Sequence, residues 1–190
     1  MSGIILLSRG SRLKERRDKI IYYHKLYGQI PSHLRGEIHR IADEIVNVTK
    51  ELEAIFSRAT SCNGCSDCCC KNYDSYFTDE DYFFNAVIGA SAYILGMIDK
   101  LKDKPKPRCI FLSEDGCSLK YVHRPHLCIE YICGRLEREL KDYRLFSKTI
   151  RLLNERFSLL MELLKKGEEL RKLLLSNRAI KHYSIVCSLP

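Results

Sequence analysis

Five cysteines fall within nine residues, Cys62 to Cys70, in the run CNGCSDCCC, which reads C-x2-C-x2-C-C-C. Four more follow at Cys109, Cys117, Cys128 and Cys133. Thiols so placed can bind metal, carry out redox chemistry, pair as disulfides or pack as small apolar groups. Two residues between cysteines let the chain fold into a knuckle, so that both sulfurs reach one ion; Cys62 with Cys65, and Cys65 with Cys68, have this spacing. Adjacent Cys68 and Cys69 are harder to aim at one mononuclear ion, which favours two centres or a polynuclear cluster. Together Cys62, Cys65, Cys68, Cys69, Cys109, Cys117, Cys128 and Cys133 suffice for two closed sites of four thiolates, or for one or two iron–sulfur clusters, including 4Fe–4S. The spacing does not choose between zinc and iron. Cys70 and Cys187 are left over.

The compartment bears on this reading. The apolar run from Gly3 to Leu7 is too short for an export signal, and basic residues follow it rather than precede it. No stretch approaches the roughly 20 apolar residues that span a bilayer. The expectation is a cytoplasmic protein with no membrane association, and there disulfides are rare while clustered cysteines bind metal or do redox work.

Helices must position these thiols. The apolar and charged fractions, 45% and 29%, are those of a globular chain rather than a disordered one. A helix is expected from about Arg12 to Tyr27, closed by Gly28 and Pro31. A stronger one is expected over Pro31–Arg58, where Ile38, Ile41, Ile45, Val48, Leu52 and Ile55 recur at threes and fours behind Ser32 as N-cap. Thr78-Asp79-Glu80-Asp81 is a capping-box signature, and the apolar run Tyr82–Ile98 after it predicts one buried helix over about 79–99. Asp115-Gly116 predicts a tight turn between two short extended pieces. In the C-terminal arm Leu136, Leu140, Tyr143, Phe146, Ile150, Leu153, Phe157, Leu160 and Leu164 form a long stripe that Gly167 interrupts. The fold class expected is mainly α: a helical bundle of long amphipathic helices with an inserted irregular cysteine-rich metal-binding module. It divides as an N-terminal arm (1–60), the module (61–133) and a long C-terminal helix and tail (134–190), all in one compact domain. The two arms are expected to pack antiparallel on each other.

CNGCSDCC and the later block CIFLSEDGCSLKYVHRPHLCIEYIC resemble, in order, the two motifs of the zinc- or iron-chelating cysteine-cluster family (YkgJ-type), which includes flagellin lysine N-methylases. The resemblance covers about residues 62–133 and carries over to the eight cysteines named above as ligands. It implies zinc or iron as cofactor, and for the methylase branch an iron–sulfur cluster with S-adenosylmethionine serving methyl transfer to protein lysines. The chain departs from those enzymes in being much shorter, in lacking a glycine-rich strand–loop–helix segment and in lacking C-x3-C-x2-C.

Beside the cysteines, His123 and His126 read as supporting or surface residues, Arg124 as a brace to Glu130 or a carbonyl, and Tyr73, Tyr76, Phe77, Tyr121 and Tyr131 as packing that shields the centre. The three segments carry net charges of +4, −2 and +6 within a total of +8. Bases alternate with acids along the helices, the pattern of a solvated face more than of a nucleic-acid groove. The functions expected are therefore metal binding through eight cysteines, iron–sulfur-dependent lysine methylation, or a zinc-stabilised interaction or nucleic-acid-binding module. The expected partner is another protein, with self-association through the C-terminal helix and nucleic acid as further options.

Overall fold

The computed structural model describes residues 9–58, 77–101, 109–113 and 116–186. Within them the chain is mainly helical, and the long helices lie where apolar residues recur at threes and fours. Helix α1 spans Arg9–Gln29, a single 3-10 turn Ser32–Leu34 follows, and α2 spans Gly36–Phe56. Ser32 is not the N-cap of α2. It opens the 3-10 turn, and α2 starts at Gly36 after Arg35, whose Nε donates to the Ile30 carbonyl at 2.7 Å.

The apolar run after Thr78 forms two helices rather than one, α3 (Asp79–Val87) and α4 (Ser91–Leu101), bent by 115°. Gly89 is the reason. Its φ of +74° ends α3 in a left-handed turn, in which Ala90 N–H donates to Asn85 and Gly89 N–H to Ala86. The start of α3 is as the capping-box signature predicts, with both reciprocal Thr78–Asp81 bonds present. Strands β1 (Leu112–Ser113) and β2 (Gly116–Cys117) then pair antiparallel, Leu112 opposite Cys117. A 3-10 turn at Tyr121–His123 leads to α5 (His126–Glu130).

The C-terminal stripe also divides, into α6 (Gly134–Asp142) and α7 (Phe146–Val186). The break is another left-handed cap, here without glycine: Arg144 has φ +54°, Leu145 N–H donates to Leu140 at 2.8 Å and Arg144 N–H to Lys141 at 2.9 Å. An L side chain in this region costs about 1 kcal/mol or more. Arg144→Gly is therefore expected to raise stability by roughly 0.5–1 kcal/mol, the glycine's greater freedom in the unfolded chain offsetting part of the gain. Chemical denaturation checks this, and a lower midpoint for the variant would refute it.

Helices α2 and α7 pack antiparallel, with Glu37 bonded to Lys166 and, at the other end, Glu51 to Lys148. They pass through two apolar clusters. The first gathers Ile38, Ile41 and Ile45 of α2 with Phe83 and Phe84 of α3, Ile94 and Ile98 of α4, and Leu160 and Leu163 of α7. The second gathers Val48, Leu52 and Ile55 with Leu136, Leu140, Leu152 and Leu153. Gly167 does not interrupt α7; it lies inside the helix, against the ring of buried Phe83. Among the described residues, no single helix is long and apolar enough to cross a membrane.

Candidate functional site

The structure corrects the metal reading. Among the described residues, no group of three or more His, Cys, Asp or Glu side chains is placed to hold a metal ion. Cys109, Cys117, Cys128 and Cys133, expected as half of an eight-thiolate set, form no such site. Three of them are shared between two cores. Cys109 is buried in the first cluster and Cys117 packs at its edge. Cys133 packs on the second cluster and caps α6, its Sγ accepting from the Leu136 N–H at 3.5 Å. Three of the four thus pack at or within apolar cores, as small hydrophobes do. Cys62, Cys65, Cys68, Cys69, Cys70 and Cys187, with Tyr73 and Tyr76, lie outside the described residues. The metal-binding function, the methylase reading built on a cluster and the zinc-stabilised module are set aside on this finding.

A different constellation occupies the middle of the molecule. Arg156 of α7 is fully buried, and so is Asp81 of α3. They stand between the two apolar clusters, at the level where α2 offers Thr49. Arg156 Nε donates to Thr49 Oγ1 at 3.0 Å, and Thr49 in turn donates to the Ile45 carbonyl at 2.7 Å. Arg156 Nη1 meets His126 Nδ1 at 3.0 Å. Asp81 Oδ1 accepts from the His126 backbone N–H at 2.9 Å, while Oδ2 accepts from Thr78 N–H at 3.1 Å. His126 thus joins the two buried charges, by its backbone to the acid and by its ring to the base. Because a guanidinium only donates, His126 Nδ1 is the acceptor, and Nε2 carries the proton facing Glu130 Oε2 at 3.3 Å. The layer ties α2, α3, α5 and α7 together.

Electrostatics follow from burial. Desolvation pushes the Asp81 pKa up, against the pull of its Thr78 and His126 bonds and of Arg156. Desolvation pushes the Arg156 pKa down, and Asp81 opposes it. His126 is lowered by burial and then by Arg156; His123 is lowered by burial and then by Lys120. Both imidazoles are held neutral, and His123 Nδ1 lies 3.2 Å from Asn85 Oδ1. A histidine whose folded pKa is depressed stabilises the fold above its unfolded value of about 6.5, and that contribution is lost as pH falls through it. Asp81 has the opposite sense, since its raised pKa means that acidification relieves a buried charge. The His126 ring protons are expected to titrate below 6.5 by NMR. A His126 midpoint at or above 6.5 would refute the neutral assignment.

The layer also braces a surface. The His126 ring stacks on Phe157 of α7, with centroids 5.0 Å apart, which sets α5 against α7. Phe157 is 48% exposed and Met161 44%, and Ile150, Leu127 and Tyr131 are exposed as well. The buried stripe of α7 is Thr149, Leu152, Leu153, Arg156, Leu160, Leu163 and Leu170. Ile150 and Phe157, expected in the packed stripe, belong instead to a second stripe with Met161 and half-buried Leu164, about 100° round the helix. Helix α7 is therefore apolar on two sides, one turned inward and one outward.

The histidines were expected in supporting or surface roles, but His126 is a buried linker. Thr49, Asp81, Asn85 and Arg156 were not anticipated as a layer. Their signal lay in the periodicity: Thr49 sits between Ile45 and Leu52, and Arg156 between Leu153 and Leu160, each on the buried face. Arg124 does brace a carbonyl, its Nε donating to Leu119 at 3.3 Å. Many helical bases are paired with acids four residues away, as in Arg40–Glu44, Lys141–Glu137 and Arg151–Glu155.

The fold and this face define a mainly helical protein with a rigidly supported, outward-facing apolar surface. No family model, curated protein or solved structure matches the chain.

Proposed function

We propose that this chain is a helical interaction protein that docks the apolar side of a partner protein's helix on the face formed by α5 and α7. The observation that carries the reading is the second apolar stripe of α7, with Phe157 and Met161 about half exposed. A surface helix of a globular protein ordinarily turns one apolar stripe to its core and keeps the opposite side polar. Exposed apolar surface rimmed by polar residues is characteristic of association sites. Here Asn154, Ser158 and Lys165, all exposed and next to the stripe on its solvent side, supply the rim. Recognition of a helix would use anchors at three, four and seven residue steps, which Ile150, Phe157, Met161 and Leu164 provide. The polar layer beneath holds Phe157 in place through His126, so little ordering is left to be done on binding.

The test places a photo-activatable cross-linking residue at Met161, and separately at exposed Lys50 of α2, in the full chain in its native cells. A discrete adduct at position 161 that is missing at position 50 supports the reading. No adduct at 161, or equal adducts at both, overturns it.

A further inference from the structure

Resting on that reading, we infer that the partner helix is basic, its lysine or arginine side chains meeting carboxylates beside and beyond the outward stripe of α7. The stripe runs through Ile150, Phe157, Met161 and half-buried Leu164. One turn beyond Leu164, on the same side of the helix, stands exposed Glu168. From Ile150 to Glu168 the distance along the axis is about 27 Å, the length of a helix of roughly 18 residues.

Beside the stripe, on the α5 side, lies Glu130. Its carboxylate is half exposed and faces Nε2 of His126 at 3.3 Å, on the ring that stacks against Phe157. That ring is neutral, so the contact leaves the charge of Glu130 standing. Among the described residues no lysine or arginine is ion-paired with Glu130 or with Glu168. Beyond the stripe, Glu168 lines a groove of about 690 Å³ among α1, α3 and α7, with exposed Tyr22 as an aromatic wall. Four carboxylates face this groove, Glu15, Asp18, Asp79 and Glu168, against Lys14 and Lys19. Lys19 is bound to Asp79 at 2.6 Å, and Arg171 stands over the Tyr22 ring at 5.9 Å. With Arg171 counted, the groove stays net negative.

The sign is informative because the chain as a whole carries +8, and its long-range field draws acids. A face that instead keeps unpaired carboxylates around exposed apolar residues is complementary to a cationic partner. Tyr22 suits the same partner, since an aromatic face attracts lysine and arginine. On the opposite flank Asn154 and Ser158 are neutral and Lys165 is basic, so the cations of the partner helix belong on its α5-facing side.

Fluorescence anisotropy on the full chain reads the outcome with two labelled helical peptides of about 18 residues. Both carry leucine at three- and four-residue steps; one has lysine at the positions between, the other glutamate. The lysine peptide is expected to bind at least about tenfold more tightly, against the pull of the overall charge. Glu130→Lys/Glu168→Lys is expected to remove or reverse that preference, and Met161→Ala to weaken the lysine peptide about tenfold. A circular-dichroism melt accompanies each variant, so that unfolding is not counted as lost affinity. An equal or tighter hold on the glutamate peptide overturns the inference, as does lysine-peptide binding that either variant leaves unchanged. Binding of neither peptide overturns it too. In each of these cases a discrete adduct at position 161 leaves the interaction reading standing, and its absence overturns both.

Discussion

Arg156→Met is expected to lower the unfolding free energy by about 3–5 kcal/mol, the range for removing one member of a buried charge pair. The methionine fills much of the same volume, so the loss is electrostatic more than a cavity. Asp81 would remain buried, bonded to Thr78 and His126 but without the positive charge that opposes its desolvation. His126 Nδ1 and Thr49 Oγ1 would each lose a donor. Against a total stability of typically 5–15 kcal/mol, the variant would be marginal. The second change Asp81→Asn is expected to recover a substantial part, because it withdraws the stranded charge. Among the described residues, Arg156 Nη2 has no hydrogen-bond partner, so the wild-type layer already carries an unmet donor. Urea denaturation of the wild type, Arg156→Met and Arg156→Met/Asp81→Asn decides the matter. If Arg156→Met unfolds within 1 kcal/mol of the wild type, or Asp81→Asn worsens it, the layer is not electrostatically coupled as described.

Gly167→Ala is expected to destabilise the protein by about 2 kcal/mol, although alanine is the better helix former by about 1 kcal/mol. The added Cβ would run into the ring of Phe83, well inside van der Waals contact. Phe83 is fully buried among α1, α3 and α7, so its ring cannot swing aside at low cost. Combining Gly167→Ala with Phe83→Leu separates the two effects: removing the ring's far edge should return part of the loss, whereas Phe83→Leu alone should only destabilise. A melting temperature for Gly167→Ala above the wild type's would show that the approach of α3 to α7 is loose.

Local signals were readable where they are chemically specific. Thr78 and Asp81 announce the start of α3, and two short extended pieces are found where they were expected, as β1 and β2, while the turn expected at Asp115-Gly116 falls partly outside the described residues. The periodic isoleucines of α2 identify its buried face. Breaks were harder. Gly89 within an apolar run reads equally as a packing glycine or a left-handed stop, and Arg144 gives no compositional hint of its positive φ because any L residue there is strained. The outward stripe of α7 was hidden by adjacency. Leu152 and Leu153 lie beside the Ile150–Phe157 series, so two stripes about 100° apart merge into one when only threes and fours are counted. Arg156 was missed because charge usually marks the solvated side, and only its position between Leu153 and Leu160 places it inside. The cysteine spacing was the most specific pattern in the chain; its first block lies outside the described residues, and of the second block Cys109 and Cys117 pack at the first core while Cys133 packs on the second and caps α6.

The polar layer gives the α2–α7 pair an index mark. Both helices carry apolar residues every three or four positions, and sliding one past the other by a single turn, about 5.4 Å, would again set leucine against isoleucine. Arg156 removes that degeneracy. After such a slip its guanidinium would stand level with Ile45 or Leu52, both wholly buried and neither offering an acceptor side chain. An uncompensated buried charge costs several kcal/mol, more than rematched aliphatic contacts return. One alignment of the two long helices is thereby singled out, and with it the height at which α5 and Phe157 meet the outer surface.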